Sequence, residues 1–592
     1  MMSKKVLLSA NEAVAYAAAK AGCTVASAYP GTPSTEILEY ISKFKETINC
    51  EWAVNEKVAM EVAIGGSIAG ARSLTAMKHV GLNVALDPLM TYSYVGTNGA
   101  LVIIICDDPG MHSSQNEQDS RNLVKFARAV LFEPADSQET FDMVQEAFEV
   151  SEKFLVPVFV RLTTRTSHTS TIVDIGDDFA PRKAERKPYV KDIKHYVQVP
   201  MFARPARIKA EDRTRALRAY GCETPFNRIE LADTRLGIIT AGITYQYVKE
   251  VFPEFSVLKL GFSNPLPSEL IKQFAAKVEK VLIVEELDPV LEEQIRALGI
   301  MIVEHQTELN MMEVNPMRLM ALRKEVLGDT EISTPKRGDA ELPTRPPVLC
   351  SGCSHRGVFY MLSKLGATVA GDIGCYTLGA FPPLNAMDTT ICMGACIGNI
   401  FGMEKAGLPG RKCAVIGDST FFHSGLTGIL NVLYNGGKVP TIVLDNRITG
   451  MTGHQENPGS GKTLTGDTAP VTDIAEVAKG MGFKHVVRVD AYDLKALELV
   501  LTEALDASEP SVIIAYGPCR LAAKLMNAGT FAADSAKCKA CGACFKLGCP
   551  AIERGEAIAD GKRFKAHIDP VQCSGCNLCT QVCKFGAISQ IR

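Results

Sequence analysis

The sequence predicts an α/β protein that ends in a short tail of a different kind. Helical stretches rich in small residues alternate with apolar runs of strand length, in three blocks separated by polar, Pro-containing segments. Eight of the 19 cysteines fall in the last 55 residues. A continuous apolar run such as Leu101–Cys106 is what a strand buried on both faces requires, and alternation of such strands with helices marks α/β architecture.

At 592 residues the chain has room for about four domains. Lys and Arg number 63 against 66 Asp and Glu, a net charge of -3 with no long basic run, so nucleic-acid binding has no electrostatic footprint. Apolar residues stop well short of the ~18 in a row that a membrane helix needs. Lys4 and Lys5 are followed by Asn11 and Glu12, a poor signal peptide. A cytoplasmic protein is expected, and in a reducing compartment crowded cysteines more often hold metal than form disulfides.

In the first block (residues 1–175), Asn11–Lys20 is helical, with Gly22 placed to end it. Thr24–Tyr29 reads as a strand. Pro30-Gly31-Thr32-Pro33 then turns into a helix with Ser34 or Thr35 as cap. A small-residue helix runs from Glu56 to Ala71. Residues 176–232 lose the rhythm and read as a connecting arm. In the second block (233–330), Leu236–Thr240 and Val281–Glu285 are strand-like, and Gln246–Val251 and Leu291–Leu298 helical. Residues 331–347 are polar and Pro-rich, a linker. The third block (348–528) has its clearest strands at Cys413–Gly417, Thr441–Leu444 and Ser511–Tyr516. The tail (529–592) is too short and too rich in Gly and Cys to build a large core, so something else must staple it.

That tail carries Cys538-x2-Cys541-x2-Cys544-x4-Cys549-Pro550 and Cys573-x2-Cys576-x2-Cys579-x3-Cys583. The pattern resembles a bacterial-type two-cluster ferredoxin module, in which three close thiolates bind one 4Fe-4S cube and the fourth ligand comes from the other run. The resemblance pairs Cys538, Cys541, Cys544 and Cys583 on one cluster, and Cys573, Cys576, Cys579 and Cys549 on the other. The first run has one more residue before its last Cys than the usual pattern. The competing reading, structural zinc, ordinarily uses paired ligands with a longer spacer between the pairs.

A second constellation lies in the third block. Cys413–Gly417 reads as a buried strand running into Asp418-Ser419, and Val443-Leu444-Asp445-Asn446-Arg447-Ile448 follows, with 28 residues from Asp418 to Asn446. Strand ends on one sheet edge are where α/β folds bind ligands. A Gly permits close backbone approach to a diphosphate, and Asp and Asn supply oxygens for Mg²⁺. The spacing resembles the Gly-Asp-Gly…Asn-Asn motif of thiamine diphosphate enzymes, with Ser419 in place of the second Gly. By that resemblance Asp418, the Asn446 side chain and the Ile448 carbonyl bind Mg²⁺. Gly417, Ser419, Thr452 and Gly453 lie beside the diphosphate. Glu56, in Ala53-Val54-Asn55-Glu56, resembles the carboxylic acid that bonds the aminopyrimidine ring. Taken alone it would be an ordinary first-turn acid favoured by the helix dipole.

With Tyr29-Pro30-Gly31-Thr32-Pro33-Ser34-Thr35, the stretches Trp52–Asn83, Asp107–Arg121 and Pro346–Arg356, and the domain order, the chain resembles the large subunit of the 2-oxoacid:ferredoxin oxidoreductases over essentially its whole length. The fold implied has pyrimidine- and diphosphate-binding thiamine domains, a middle transketolase C-terminal-like α/β domain and the ferredoxin domain. The activity implied is oxidative decarboxylation of arylpyruvates (indolepyruvate, phenylpyruvate). The cofactor acts as electron sink, coenzyme A takes the acyl group, and electrons pass singly through the clusters to ferredoxin. A separate small (beta) subunit and two copies of each chain are implied. No Gly-x-Gly-x-x-Gly nicotinamide fingerprint follows a strand. A non-oxidative thiamine decarboxylase or synthase would leave the tail cysteines without a task. An electron carrier with degenerate thiamine domains is opposed by the intact Asp418, Asn446 and Glu56.

Related pyruvate-type enzymes hold a cluster beside the thiamine at positions similar to Cys350, Cys353, Cys375 and Cys519. These four are either ligands of a third cluster, or a redox pair with two buried small hydrophobes. Cys392, Cys396 and Cys413 read as core. Lys78-His79 falls where the family's loop meets substrate, and a cation there could pair a carboxylate. Thr32 either bonds substrate or cofactor, or serves the turn. Ser113–Gln118 follows a strand end and is expected to line the site. His355 and Arg356 either approach the third cysteine group and the diphosphate, or are polar surface.

Overall fold

Local chemistry sets the limits of the first helix. Ser9 and Glu12 form a reciprocal capping box at the start of Ala10–Ala21, and Gly22 ends it in the left-handed region at φ 80°. The computed structural model describes residues 4–177, 179–328, 343, 346–525, 529–559 and 561–591, in two units, 1–340 and 341–592. The predicted linker 331–347 lies outside the described residues except at positions 343, 346 and 347.

The first unit holds a seven-stranded sheet in the order Phe262–Asn264, Val130–Phe132, Val158–Thr163, Leu101–Asp107, Ser73–Lys78, Val25–Ala28, Asn49–Trp52. Six strands are parallel, and the central ones are buried along their whole length, as their continuous apolar runs require. The seventh, Phe262–Asn264, pairs antiparallel with Val130–Phe132 and comes from the second block. The sheet is therefore completed across the boundary drawn from sequence. A separate sheet of Val281–Val284, Asp233–Ala241, Phe255–Leu260 and Asn227–Glu230 carries the second block.

The connecting segment 176–232 is not irregular throughout. It contains the 24-residue helix Pro200–Glu223, with Pro200 in the first turn, where its missing N–H costs nothing. A second proline inside that helix, Pro205, and its charge density hid the helical period from sequence.

Arg121 ties the two sheets of the first unit together. It is fully buried and its guanidinium donates to Asp119, to Glu285 Oε2 (2.7 Å) and to the carbonyls of Glu286 and Asp288 (2.8 Å each). Arg161 lies in the same layer, bonded to Asp107 (2.6 Å) and Glu133 (3.0 Å). Such a network tolerates burial only because nearly every charge in it is paired.

The second unit is built on six parallel strands, ordered Thr389–Thr390, Thr368–Gly371, Lys412–Gly417, Thr441–Asp445, Ser511–Tyr516, His485–Asp490. The tail adds the hairpin Ile552–Ala557/Phe564–Ile568 and the short ladder Phe531–Ala533/Ile588–Gln590. It makes no core of its own. Leu547, Ile568, Leu578 and Ile588 join Leu349, Val358 and Phe359 of the third block in one apolar cluster. Among the described residues no helix is long and apolar enough to cross a membrane.

Arg121→Met should destabilise the first unit by about 3–5 kcal/mol, because it leaves buried Glu285 without its counter-charge and Asp119 with only Arg161, at 3.9 Å. Chemical denaturation followed by a probe in that unit measures it. A loss under about 1 kcal/mol would assign Arg121 the weight of a surface ion pair.

Candidate functional site

Glu56 opens the helix Glu56–Ile68 and is 5% exposed. Asn55 caps that helix, its side chain accepting from Val58 N at 2.9 Å, which fixes the residue next to the carboxylate. The first turn of His79–Val95 comes up against Glu56 at Gly81. A Cβ there would lie 2.7 Å from Glu56 Cγ and Oε1, so only glycine leaves room for the carboxylate.

Lys78 and His79 end the strand Ser73–Lys78 and begin that helix. Lys78 is buried, with its Nζ donating to the Ser113 carbonyl at 3.2 Å. Burial lowers its pKa, against the pull of Asp108 and Glu56. His79 is wholly buried. Its Nε2 is 3.2 Å from the Asn116 carbonyl oxygen, which makes that nitrogen the protonated donor and Nδ1 a bare acceptor with no partner among the described residues. Burial holds its pKa down and the ring neutral. The segment 113–118 closes over this corner. Asp108 Oδ2 accepts from Ser113 N (2.8 Å) and Ser114 Oγ (2.7 Å), and Ser113 Oγ donates to the half-buried Thr32 through its carbonyl at 3.2 Å. Asp108 was not singled out from sequence, although its place just past the strand end was a usable signal.

The remaining residues expected at the thiamine site belong to the second unit. Gly417 pairs with Leu444 in register, so Asp418 and Asp445-Asn446 leave the same edge of two adjacent parallel strands. Asp418 is buried and pairs with no cation among the described residues; Asn457 Nδ2 donates to its Oδ2 at 3.0 Å. Burial, then repulsion from Asp445, pushes its pKa up to about 7. A buried carboxylate in that condition calls for a cation. Asn446 directs Nδ2 toward His355 Nε2 (3.3 Å), while its Oδ1 accepts from Ile448 N at 3.1 Å. The oxygen donor set is the kind Mg²⁺ takes. Ser419 Oγ and Thr449 Oγ1 are 2.8 Å apart, and Thr452 Oγ1 donates to Gln455 at 2.5 Å, which shapes the exposed turn at Gly453. Gly453 has φ 121°, open only to glycine without strain.

Gly417 also has a neighbour that its motif does not announce. A Cβ there would meet the Tyr376 ring at 2.4 Å, so the missing side chain makes room for a tyrosine. Tyr376 Oη in turn donates to Asp372 Oδ2 at 3.0 Å, and Asp372 accepts from Gly394 N at 2.9 Å. Sequence reasoning missed Asp372, Tyr376 and Asn457, because no local pattern distinguishes them.

The tail thiols line two cavities. One cavity is lined by Cys538, Cys541, Cys544 and Cys583; a second is lined by Cys549, Cys573, Cys576 and Cys579. Each encloses about 380 Å³, counting space open to solvent. In the first run the short helix Ala543–Leu547 ends at Gly548, which stands at φ 64°. Among the described residues no three His, Cys, Asp or Glu side chains converge on a point as a single ion demands.

Cys350, Cys353, Cys375 and Cys519 also come together. Cys375 lies within electrostatic reach of Cys350 and Cys519, and Cys353 within reach of Cys375 and Cys350. The group borders Asn446: Cys519 N donates to the Asn446 carbonyl at 3.2 Å, and a Cβ on Gly450 would lie 3.5 Å from Cys375 Sγ and 3.9 Å from Asn446 Nδ2. Burial pushes Cys353 up to about 12 and Cys375 to about 11. Cys396 and Cys413 are core, as expected, whereas Cys392 is exposed. Arg356 is not surface; it is 1% exposed.

Comparison with known proteins agrees with this geometry. Residues 16–219 match the family "Pyruvate flavodoxin/ferredoxin oxidoreductase, thiamine diP-bdg", residues 372–515 "Thiamine pyrophosphate enzyme, C-terminal TPP binding domain", and residues 566–589 "4Fe-4S binding domain". Indolepyruvate oxidoreductase subunit IorA of Pyrococcus abyssi is 40% identical over 100% of this chain and 97% of its own length. The subunits of the same name from Methanothermobacter thermautotrophicus and Archaeoglobus fulgidus are 37% and 36% identical, each over 99% of this chain and 97% of their own. The chain therefore belongs to the indolepyruvate oxidoreductase IorA family, as the thiamine-diphosphate-dependent subunit of an oxidoreductase that passes electrons through iron–sulfur centres.

Proposed function

We propose that the chain oxidatively decarboxylates arylpyruvates, indolepyruvate foremost, to their acyl-coenzyme A, with a small partner subunit and with ferredoxin as electron acceptor. What chiefly supports this is the sequence of thiol groups leading from Asn446 to the tail: Cys350, Cys353, Cys375 and Cys519 first, then the Cys549/Cys573/Cys576/Cys579 cavity, whose wall includes Gly352, and last the Cys538/Cys541/Cys544/Cys583 cavity with Cys541 exposed. We assign a 4Fe-4S cluster to each group. The exposed one faces ferredoxin.

Thiamine diphosphate, when bound, supplies the electron sink that lets carbon dioxide leave a 2-oxoacid. In this reading the Glu56 carboxyl group would hydrogen-bond the aminopyrimidine ring, in the slot that Gly81 leaves open. Asp418, Asn446 and the Ile448 carbonyl hold Mg²⁺. Gly417, Ser419, Thr452 and Gly453 surround the diphosphate. Thr32 contacts substrate or cofactor, and Lys78 offers the cation for the substrate carboxylate. His79, neutral and bonded to the Asn116 carbonyl, holds the 113–118 segment in place. Two copies of each subunit complete the enzyme.

Anaerobic protein with its small subunit should reduce a viologen dye with indolepyruvate, and only when coenzyme A is present. Carbon dioxide release without dye reduction would overturn the oxidative assignment. Glu56→Gln should lower kcat by about 10²–10⁴-fold while thiamine diphosphate still binds by calorimetry; an unchanged kcat would remove Glu56 from the chemistry. Cys519→Ser should abolish dye reduction by the 2-oxoacid, yet leave the tail clusters reducible by dithionite in electron paramagnetic resonance. Wild-type turnover in that variant would leave the third group without an electron-transfer role.

A further inference from the structure

Arg356 is a fully buried cation, 1% exposed. Its guanidinium donates only to backbone carbonyls: Nη1 to Leu547 at 2.6 Å, Nη2 to Leu349 at 2.7 Å and to Cys350 at 3.0 Å. Nε has no partner among the described residues, and no carboxylate among them forms an ion pair with this side chain. Three carbonyl dipoles orient a guanidinium but do not neutralise it. A buried charge without a counter-charge is among the most costly things a fold can contain. Elsewhere the same chain pairs buried arginines, as with Arg121 to Asp119 and Glu285, and Arg161 to Asp107 and Glu133.

The position of Arg356 supplies what its partner list lacks. It follows Cys350 and Cys353 in sequence and bonds the Cys350 carbonyl. It also lines the cavity of Cys549, Cys573, Cys576 and Cys579, and reaches across to Leu547, two residues before Cys549. A 4Fe-4S cube with four thiolates is a net anion, and gains one more negative charge on reduction.

We propose that Arg356 is the built-in counter-ion of the electron path: it stands between the Cys350/Cys353 group and the Cys549/Cys573/Cys576/Cys579 group and raises the reduction potential of the clusters they hold. It is a positioning residue for electron flow and touches neither substrate nor thiamine. The inference rests on the cluster assignment above. Cluster potentials respond to net charge and hydrogen bonding nearby, and a cation favours the reduced, more negative form. An electron leaving the thiamine site thereby meets an acceptor biased to take it.

The test is a redox titration, followed by electron paramagnetic resonance, of anaerobic wild type, Arg356→Gln and Arg356→Lys, with iron counted on each sample. Failure of the wild type to load iron would remove the cluster assignment itself, separately from this proposal. With the wild type loaded, Arg356→Gln should hold its clusters but shift at least one potential about tenfold in equilibrium, about 59 mV, to the negative side. Arg356→Lys, which keeps the charge, should stay near wild type. If Gln fails to load iron, loading of Lys supports the charge role. The proposal is overturned if Gln titrates within that tenfold of wild type, or if Lys is as defective as Gln.

Discussion

The second unit buries charge that its own side chains do not neutralise, and its architecture follows from that constraint. Asp418 is a buried carboxyl facing Asp445, with an amide as its main partner. Arg356 is a buried guanidinium held by carbonyls. Three groups of four thiols stand close together in protein interior or half-exposed cavities. Burial keeps thiols such as Cys353 and Cys375 protonated, and neither of the first two arrangements is favourable in a protein without partners. Each becomes so with a divalent cation, an anionic cube or a diphosphate in place. The first unit, by contrast, pairs its buried Arg121 and Arg161 with carboxylates.

The fold converts that constraint into a path. Parallel strands deliver Asp418 and Asn446 to one sheet edge, where the positive ends of helices and exposed strand termini bind ligands in α/β proteins. The Asn446 backbone is tied to Cys519, which places the first thiol group against the same edge. The tail lacks its own core and shares one with the helix His355–Leu365, so its cavities are fixed relative to that edge rather than tethered loosely. Coupling through a shared core is what electron transfer over short steps requires; a flexible tether would vary the distance.

Most of the architecture was legible in sequence because its signals are local. Continuous apolar runs marked the buried strands to within a residue or two, as at Ser511–Tyr516. The likeness of the cysteine spacing to a two-cluster ferredoxin module divided the tail thiols into two groups, and the same two groups line the two cavities. What was hidden is long-range. The helix Pro200–Glu223 was masked by proline and charge. The strand Phe262–Asn264 pairs with a strand 130 residues earlier, Phe262 opposite Phe132, which no periodicity reveals. The Tyr376 ring that the missing side chain of Gly417 admits has no signal in the motif either. Arg356 could be read as surface because burial of a lone cation has no sequence signature; only the carbonyls of Leu349 and Cys350 together with that of Leu547, 191 residues on, make its place plain.

The central claim is that the thiol groups are completed by iron–sulfur cubes that carry the compensating charge. Native mass spectrometry of the anaerobically isolated chain tests it most directly. The account requires three mass increments of one cube each, about twelve irons in all at four per cube. Single zinc ions bound at the cysteine groups, with no sulfide, would contradict it.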